Sequence, residues 1–228
     1  YIKNEKGSKR YVGHNIGDKT GKHDDLGGVT LFDGSDQQLD YTLVAKENNI
    51  STKDLYFKPT NLTDSTVTFT AEAAPGKTLV IDYKLGKDYL LHSSLKVNGM
   101  AGLFDPNTSK LNIDWHEKVK EQERGFTFEN RYARLDWKEK DGDTDYLSES
   151  SDKEENTEEA VDWIAFKNQF FSAVMISKDA FDKGADLHSV PYDKKSQENE
   201  SVRYLKDFTA KTKTNFDPTG QKPSEFEF

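Results

Sequence analysis

The 228-residue chain contains no cysteine. That excludes disulfides, thiolate metal sites and cysteine nucleophiles, and it does not fix the compartment. No segment approaches about 18 uninterrupted apolar residues, so nothing in the sequence reads as a membrane-spanning helix. Basic charge is in deficit: 32 Lys and Arg stand against 41 Asp and Glu, a net charge of −9. Nucleic acid needs a basic face and is not an expected partner. The same balance opposes the body of the chain lying flat on an anionic lipid surface. Hydrophobic residues are few for a globular protein at 33%, with 32% charged, yet 12% aromatics are too many for a disordered chain. These proportions imply a packed core under long charged loops.

Catalytic signatures are missing as well. The sequence has no Gly-x-Ser-x-Gly elbow, no phosphate-cradling loop and no His-Glu-x-x-His. The five histidines are scattered at 14, 23, 92, 116 and 188. His14 and His23 sit in a glycine-rich stretch without a third ligand at metal spacing. His116 and Glu117 adjoin, but in a strand they face opposite ways and cannot share a task. His92 falls in a strand, at its surface or in a cross-strand pair, and neither it nor His116 has an obvious partner in sequence. Asp141, Asp143 and Asp145 faintly resemble a calcium loop but lack its glycine offset and distal glutamate. The Asn-x-Ser/Thr sites at Asn49, Asn61, Asn107 and Asn199 are explained by chance. No catalytic residue, metal ligand or cofactor is therefore expected.

What is present is alternation. Leu39, Tyr41 and Leu43 alternate with polar neighbours, as do Thr66 to Thr70 and Leu111, Ile113 and Trp115. Leu79 to Leu85 and Tyr89 to Val97 flank Gly86-Lys87-Asp88 as a hairpin that Asn98-Gly99 stops. Leu135 and Trp137 lead to a second hairpin turn at Asp141-Gly142. Val29 to Phe32 reads as a brief strand after a loop over 1–28. Glu117 to Arg124 reads as one or two exposed helical turns, and Phe126 and Phe128 as the opening of a strand. Three stretches read as loops: Ser148 to Glu159, with six acidic residues and no apolar one, Phe181 to His188, and Asp193 to Ser201. Turn signals every ten residues or so indicate an all-β chain of two stacked, mainly antiparallel sheets with little helix, forming a single domain over 1–228. The start at Tyr1 and the alternating end Glu225-Phe226-Glu227-Phe228 read as those of a fragment of a longer protein.

The centre of this organisation is Asp162 to Ile176. Its periodicity is neither helical nor cleanly alternating. We read Gln169 to Ser177 as a strand buried on both faces, with Trp163 to Phe166 as a shorter one before it. Trp115, Trp137 and Trp163 all read as core.

Trp163-Ile-Ala-Phe-Lys-Asn-Gln-Phe-Phe-Ser-Ala173, after an acidic loop and before an apolar run, resembles the large extracytoplasmic domain of the YidC membrane-protein insertases, in its Bacteroides-like form. Leu79 to Asn98, Leu111 to Trp115, Arg131 to Leu147 and Tyr204 to Phe228 carry the resemblance further. It implies a β-supersandwich like that of galactose mutarotases, on the periplasmic side of the bacterial inner membrane. It also implies contacts with the Sec translocon, SecYEG and SecDF, and with nascent inner-membrane proteins, and no catalysis. The family's SecF-contacting portion overlaps the hairpin and acidic loop before Trp163. Two other readings compete: a carbohydrate-binding or mutarotase-like protein, which needs a histidine acid opposed to a carboxylate base, and a surface adhesin or lipoprotein sandwich.

Overall fold

Leu111, Ile113 and Trp115 point one way from their strand and are buried, while Asn112, Asp114 and His116 point the other. Repeated along the chain, that alternation produces two sheets with apolar inner faces and polar outer faces. The computed structural model describes residues 34–87, 90–122, 125–147, 150–197 and 202–228. The strand expected at Val29 to Phe32 and the loop with His14 and His23 lie outside the described residues.

Strands are numbered in chain order. The first sheet contains β1 (Gln37–Leu43), β2 (Ile50–Ser51), β7 (Lys110–Lys120), β10 (Lys153–Asn156), β13 (Asp186–Pro191) and β14 (Tyr204–Asn215), in the order β10-β13-β14-β7-β1-β2. The second contains β3 (Lys58–Thr60), β4 (Thr66–Ala74), β5 (Lys77–Leu85), β6 (Leu91–Asn98), β8 (Arg134–Glu139), β9 (Thr144–Tyr146), β11 (Val161–Lys167), β12 (Ser172–Phe181) and β15 (Ser224–Glu227). Its order is β3-β4-β5-β6-β15-β12-β11-β8-β9. All pairings are antiparallel. The four-residue β15 is the last strand of the chain, yet it sits mid-sheet between β6 and β12.

Aromatic rings join the two layers. Trp115 of β7 stacks on Phe166 of β11 with centroids 3.8 Å apart, and Phe166 also meets Phe208 of β14 at 5.3 Å. Tyr41 of β1 stacks on Phe226 of β15 at 5.4 Å. Each such ring, fully buried, stabilises the sandwich by roughly 1.5–3 kcal/mol from area alone.

Several expectations need correction. Gln169 to Ser177 is not one strand buried on both faces. Asn168 to Phe171 form a tight turn between β11 and β12, with the Asn168 Oδ1 accepting the backbone N–H of Phe170 at 2.9 Å and of Phe171 at 2.8 Å. An asparagine side chain mimics a turn of backbone here, so two phenylalanines sit where apolarity suggested a strand. Trp163 is only half-buried, on the outer face, whereas Trp115 and Trp137 are core. Phe126 and Phe128 belong to a short helix α1 (Phe126–Asn130), tied down by the buried carboxylate of Glu129, which accepts the Gln122 N–H through both oxygens at 3.0 Å. Glu117 to Lys120 continue β7 instead of turning helical, because Glu117 and Val119 keep its inward alternation. The acidic stretch contains β10, exposed throughout and paired to β13, and β13 itself takes up part of the loop expected at Phe181 to His188. Backbone pairing with a neighbour makes a strand there without any apolar signal.

Candidate functional site

The outward positions of five adjacent strands line a groove of about 640 Å³ on the nine-stranded sheet. Register fixes which residues meet. One row crosses the sheet as Thr66, Lys84, His92, Glu227, Ile176 and Trp163, each opposite the next on the neighbouring strand. Beside it run Thr68, Asp82, Ser94 and Glu225. The strands supply this polar surface because their alternate residues (Leu79, Ile81, Leu95, Phe226 and Met175) are committed to the core.

Nearly every charge in the groove already has a partner. His92 Nδ1 lies 3.2 Å from Glu227 Oε1. Lys178 pairs with Glu225, and that hydrogen bond holds its ammonium above the usual lysine range. The Thr68 hydroxyl donates to Asp82 Oδ1 at 2.6 Å. A histidine acid and a carboxylate base that act on a sugar must flank the substrate. His92 and Glu227 instead neighbour each other on paired strands, with no substrate-sized gap between them. The arrangement offers an extended polar ligand a ladder of hydrogen-bonding groups, with Ile176 in the groove and Trp163 one strand beyond it.

The other two described histidines, His116 and His188, also have partners that sequence reading missed. His116 Nε2 lies 2.5 Å from Asp207 Oδ1 on the outer face of the six-stranded sheet, and the Tyr192 hydroxyl donates to the same carboxylate at 3.3 Å. Burial, reinforced by Asp207, pushes that hydroxyl up to about 12. His188 Nε2 lies 2.7 Å from Asp152 Oδ1, beside a second groove of about 640 Å³ along β10, β13 and β14. The pairs 92–227 and 116–207 are brought together only by strand order, so no local motif signals them. As expected, Glu117 faces away from His116; contrary to the exposed turns expected there, it points into the core, where it accepts a hydrogen bond from Gln37 Nε2 at 3.0 Å. Burial, with the nearby Asp36 charge, pushes its carboxyl up to about 7.

Among the described residues no group of three or more His, Asp or Glu could hold a metal ion, including the Asp141, Asp143 and Asp145 series. Among them no helix is long and apolar enough to cross a membrane.

Comparison with known proteins gives one consistent result. The sequence profile of the family described as the YidC periplasmic domain matches residues 19–228. The chain is 42% identical over 201 residues to a membrane protein insertase YidC of Phocaeicola vulgatus, covering 88% of this chain and 31% of that protein. It is 38% identical over 201 residues to the same-named protein of Bacteroides fragilis and 30% identical over 203 residues to that of Parabacteroides distasonis, with the same shares. The chain thus spans under a third of the length of the curated relatives it matches.

Proposed function

This chain belongs to the YidC periplasmic domain family, and from that premise we propose that it is the single, non-catalytic extracytoplasmic domain of a bacterial inner-membrane insertase. It assists insertion and folding of inner-membrane proteins through contacts with Sec translocon components (SecYEG, SecDF) or with nascent substrates. The observation that carries this reading is the family match over 19–228, joined to a groove whose charges are paired with one another instead of poised for proton transfer.

The test places a photo-crosslinking amino acid at Ser94, in the groove, and at Lys211, on the other sheet, within the full-length protein in cells. Adducts with translocon subunits or nascent membrane proteins are expected from at least one face. Silence from both positions would remove the contact role. A sugar-directed reading is favoured by one observation, the half-buried Trp163 two strands from Glu227 of the His92–Glu227 pair. Anomer interconversion followed by NMR, or a sugar-dependent change in tryptophan fluorescence, would establish it in place of the contact role.

A further inference from the structure

Exposed apolar side chains are concentrated at one end of this sandwich. Of the eight large hydrophobic residues exposed among the described ones, five sit on turns or near strand ends that share that end. Leu62, the most exposed of the five at 77%, lies in the β3–β4 turn, and Leu85 at the close of β5. The Leu85 N–H donates to Ser65 O at 2.7 Å, which ties those two tips together. Phe170 occupies the β11–β12 turn, and Phe128 and Tyr132 stand edge to face at 5.2 Å where α1 leads into β8. Antiparallel register places these features at a common end, since Thr66 meets Lys84, Leu85 meets Leu91, and Arg134 meets Lys167, which meets Ser172. The remaining three behave differently. Tyr146 lies over the Arg134 guanidinium at 4.1 Å on the sheet face, and Val44 and Tyr56 lie toward the opposite end.

The chain also passes through this end. Phe228 exchanges backbone hydrogen bonds with Leu91 at 2.8 and 3.0 Å, so β15 runs out toward the same turns. The first described residues enter there too, because Gln37 is paired with Glu117, which lines a small cavity with Phe171. Gly34 and Phe228, the first and last described residues, therefore both lie at the end that carries Leu62, Leu85, Phe128, Tyr132 and Phe170. The related proteins are membrane insertases roughly three times longer than this chain.

We propose that this end of the sandwich, tipped by Leu62, Leu85, Phe128, Tyr132 and Phe170, docks on the headgroup boundary of a largely zwitterionic bilayer. Aromatic rings and leucines at a loop tip gain from burial at the boundary between headgroups and acyl chains, and several such tips at one end can gain together where a single residue does not. The chain's net charge of −9 makes an anionic surface the wrong partner for the molecule as a whole. Lys84, Lys87 and Arg131 outnumber Asp64 among the described exposed charges at these tips, so the described tips carry no excess of acid against lipid. The contact goes beyond the insertase reading: it needs a bilayer beside the domain and no insertion activity, so its failure would leave that reading in place.

Flotation of the 228-residue chain with phosphatidylcholine vesicles tests it. Wild type is expected to float with the vesicles, and to do so equally in high salt, because apolar burial drives the contact. The triple variant Phe128→Ser, Tyr132→Ser, Phe170→Ser is expected to lose about tenfold in partitioning. The double variant Leu62→Ser, Leu85→Ser, which leaves α1 untouched, is expected to lose less but measurably. Val44→Ser, Tyr56→Ser, at the opposite end, is expected to float like wild type. Unchanged thermal melting in each variant shows that folding is intact. Failure of wild type to float, or flotation of folded triple and double variants at the wild-type level, would overturn the proposal.

Discussion

Gly220 illustrates how little freedom some single positions have. Its φ is +75°, and a Cβ built there would lie 1.8 Å from the Val97 carbonyl oxygen, a backbone atom that cannot move aside. Gly220→Ala is expected to destabilise by about 2 kcal/mol or more, from left-handed strain and backbone displacement together. Chemical denaturation with an unchanged m-value would show it as a shift in midpoint. Glu117 is constrained by charge instead. Its carboxyl is raised from 4.5 to about 7 in the fold, so between those values the native state holds a proton that the unfolded chain has released. Stability from this residue is therefore intact below about 4.5, falls as pH rises through that window, and is about 3 kcal/mol lower above 7. Glu117→Gln is expected to flatten that slope, stabilising the protein more at pH 8 than at pH 5. Equal gains at both values would refute the assignment. Sequence reading set Glu117 opposite to His116 but put it at the start of exposed helical turns, and its Gln37 partner, 80 residues away, left no trace in it.

At the scale of elements, the legible strands were those whose signals are local. The β5–β6 hairpin was readable because Leu79, Ile81, Leu95 and Val97 alternate on either side of a glycine turn, and all four are buried. The β11–β12 hairpin was misread because its turn chemistry rests on one asparagine side chain, while Phe170 and Phe171 resemble core. β10 was invisible because Lys153, Glu154, Glu155 and Asn156 owe their conformation to β13 and bury no side chain. Those charges have their own use. Among the described residues β10 is an edge strand, and its acidic side chains discourage a second chain from pairing along it. Glu154→Val, Glu155→Val is expected to leave the melting temperature within about 2 °C, since exposed substitutions typically change stability by no more than about 0.5 kcal/mol. It is expected to promote concentration-dependent association, visible by light scattering. A variant as monodisperse as wild type would show that the edge needs no such protection.

For the whole molecule, two stacked antiparallel sheets were foreseeable from composition and turn spacing, but strand order was not. Fifteen strands among the described residues admit many orders, and nothing in Ser224 to Glu227 announces an interior place. The groove inherits that obscurity, since Glu225 and Glu227 meet His92, Ser94 and Lys178 only because β15 lies between β6 and β12. Deleting residues 224–228 is expected to do more than remove an end. It takes Phe226 from the core and unlinks β3 to β6 from β8, β9, β11 and β12, so two-state unfolding should give way to a broad transition with exposed apolar surface, detectable by dye binding. A sharp transition near the wild-type midpoint would contradict this.

The late position of β15 also sets the timing of maturation. A chain emerging from its amino end can assemble β3 to β6 as one ribbon early and β8, β9, β11 and β12 as another later, but their seam stays open until the final four-residue strand arrives. During synthesis, closure of the nine-stranded sheet must therefore wait for Ser224 to Glu227, so the sandwich cannot become whole until those residues have been made and have joined the two ribbons.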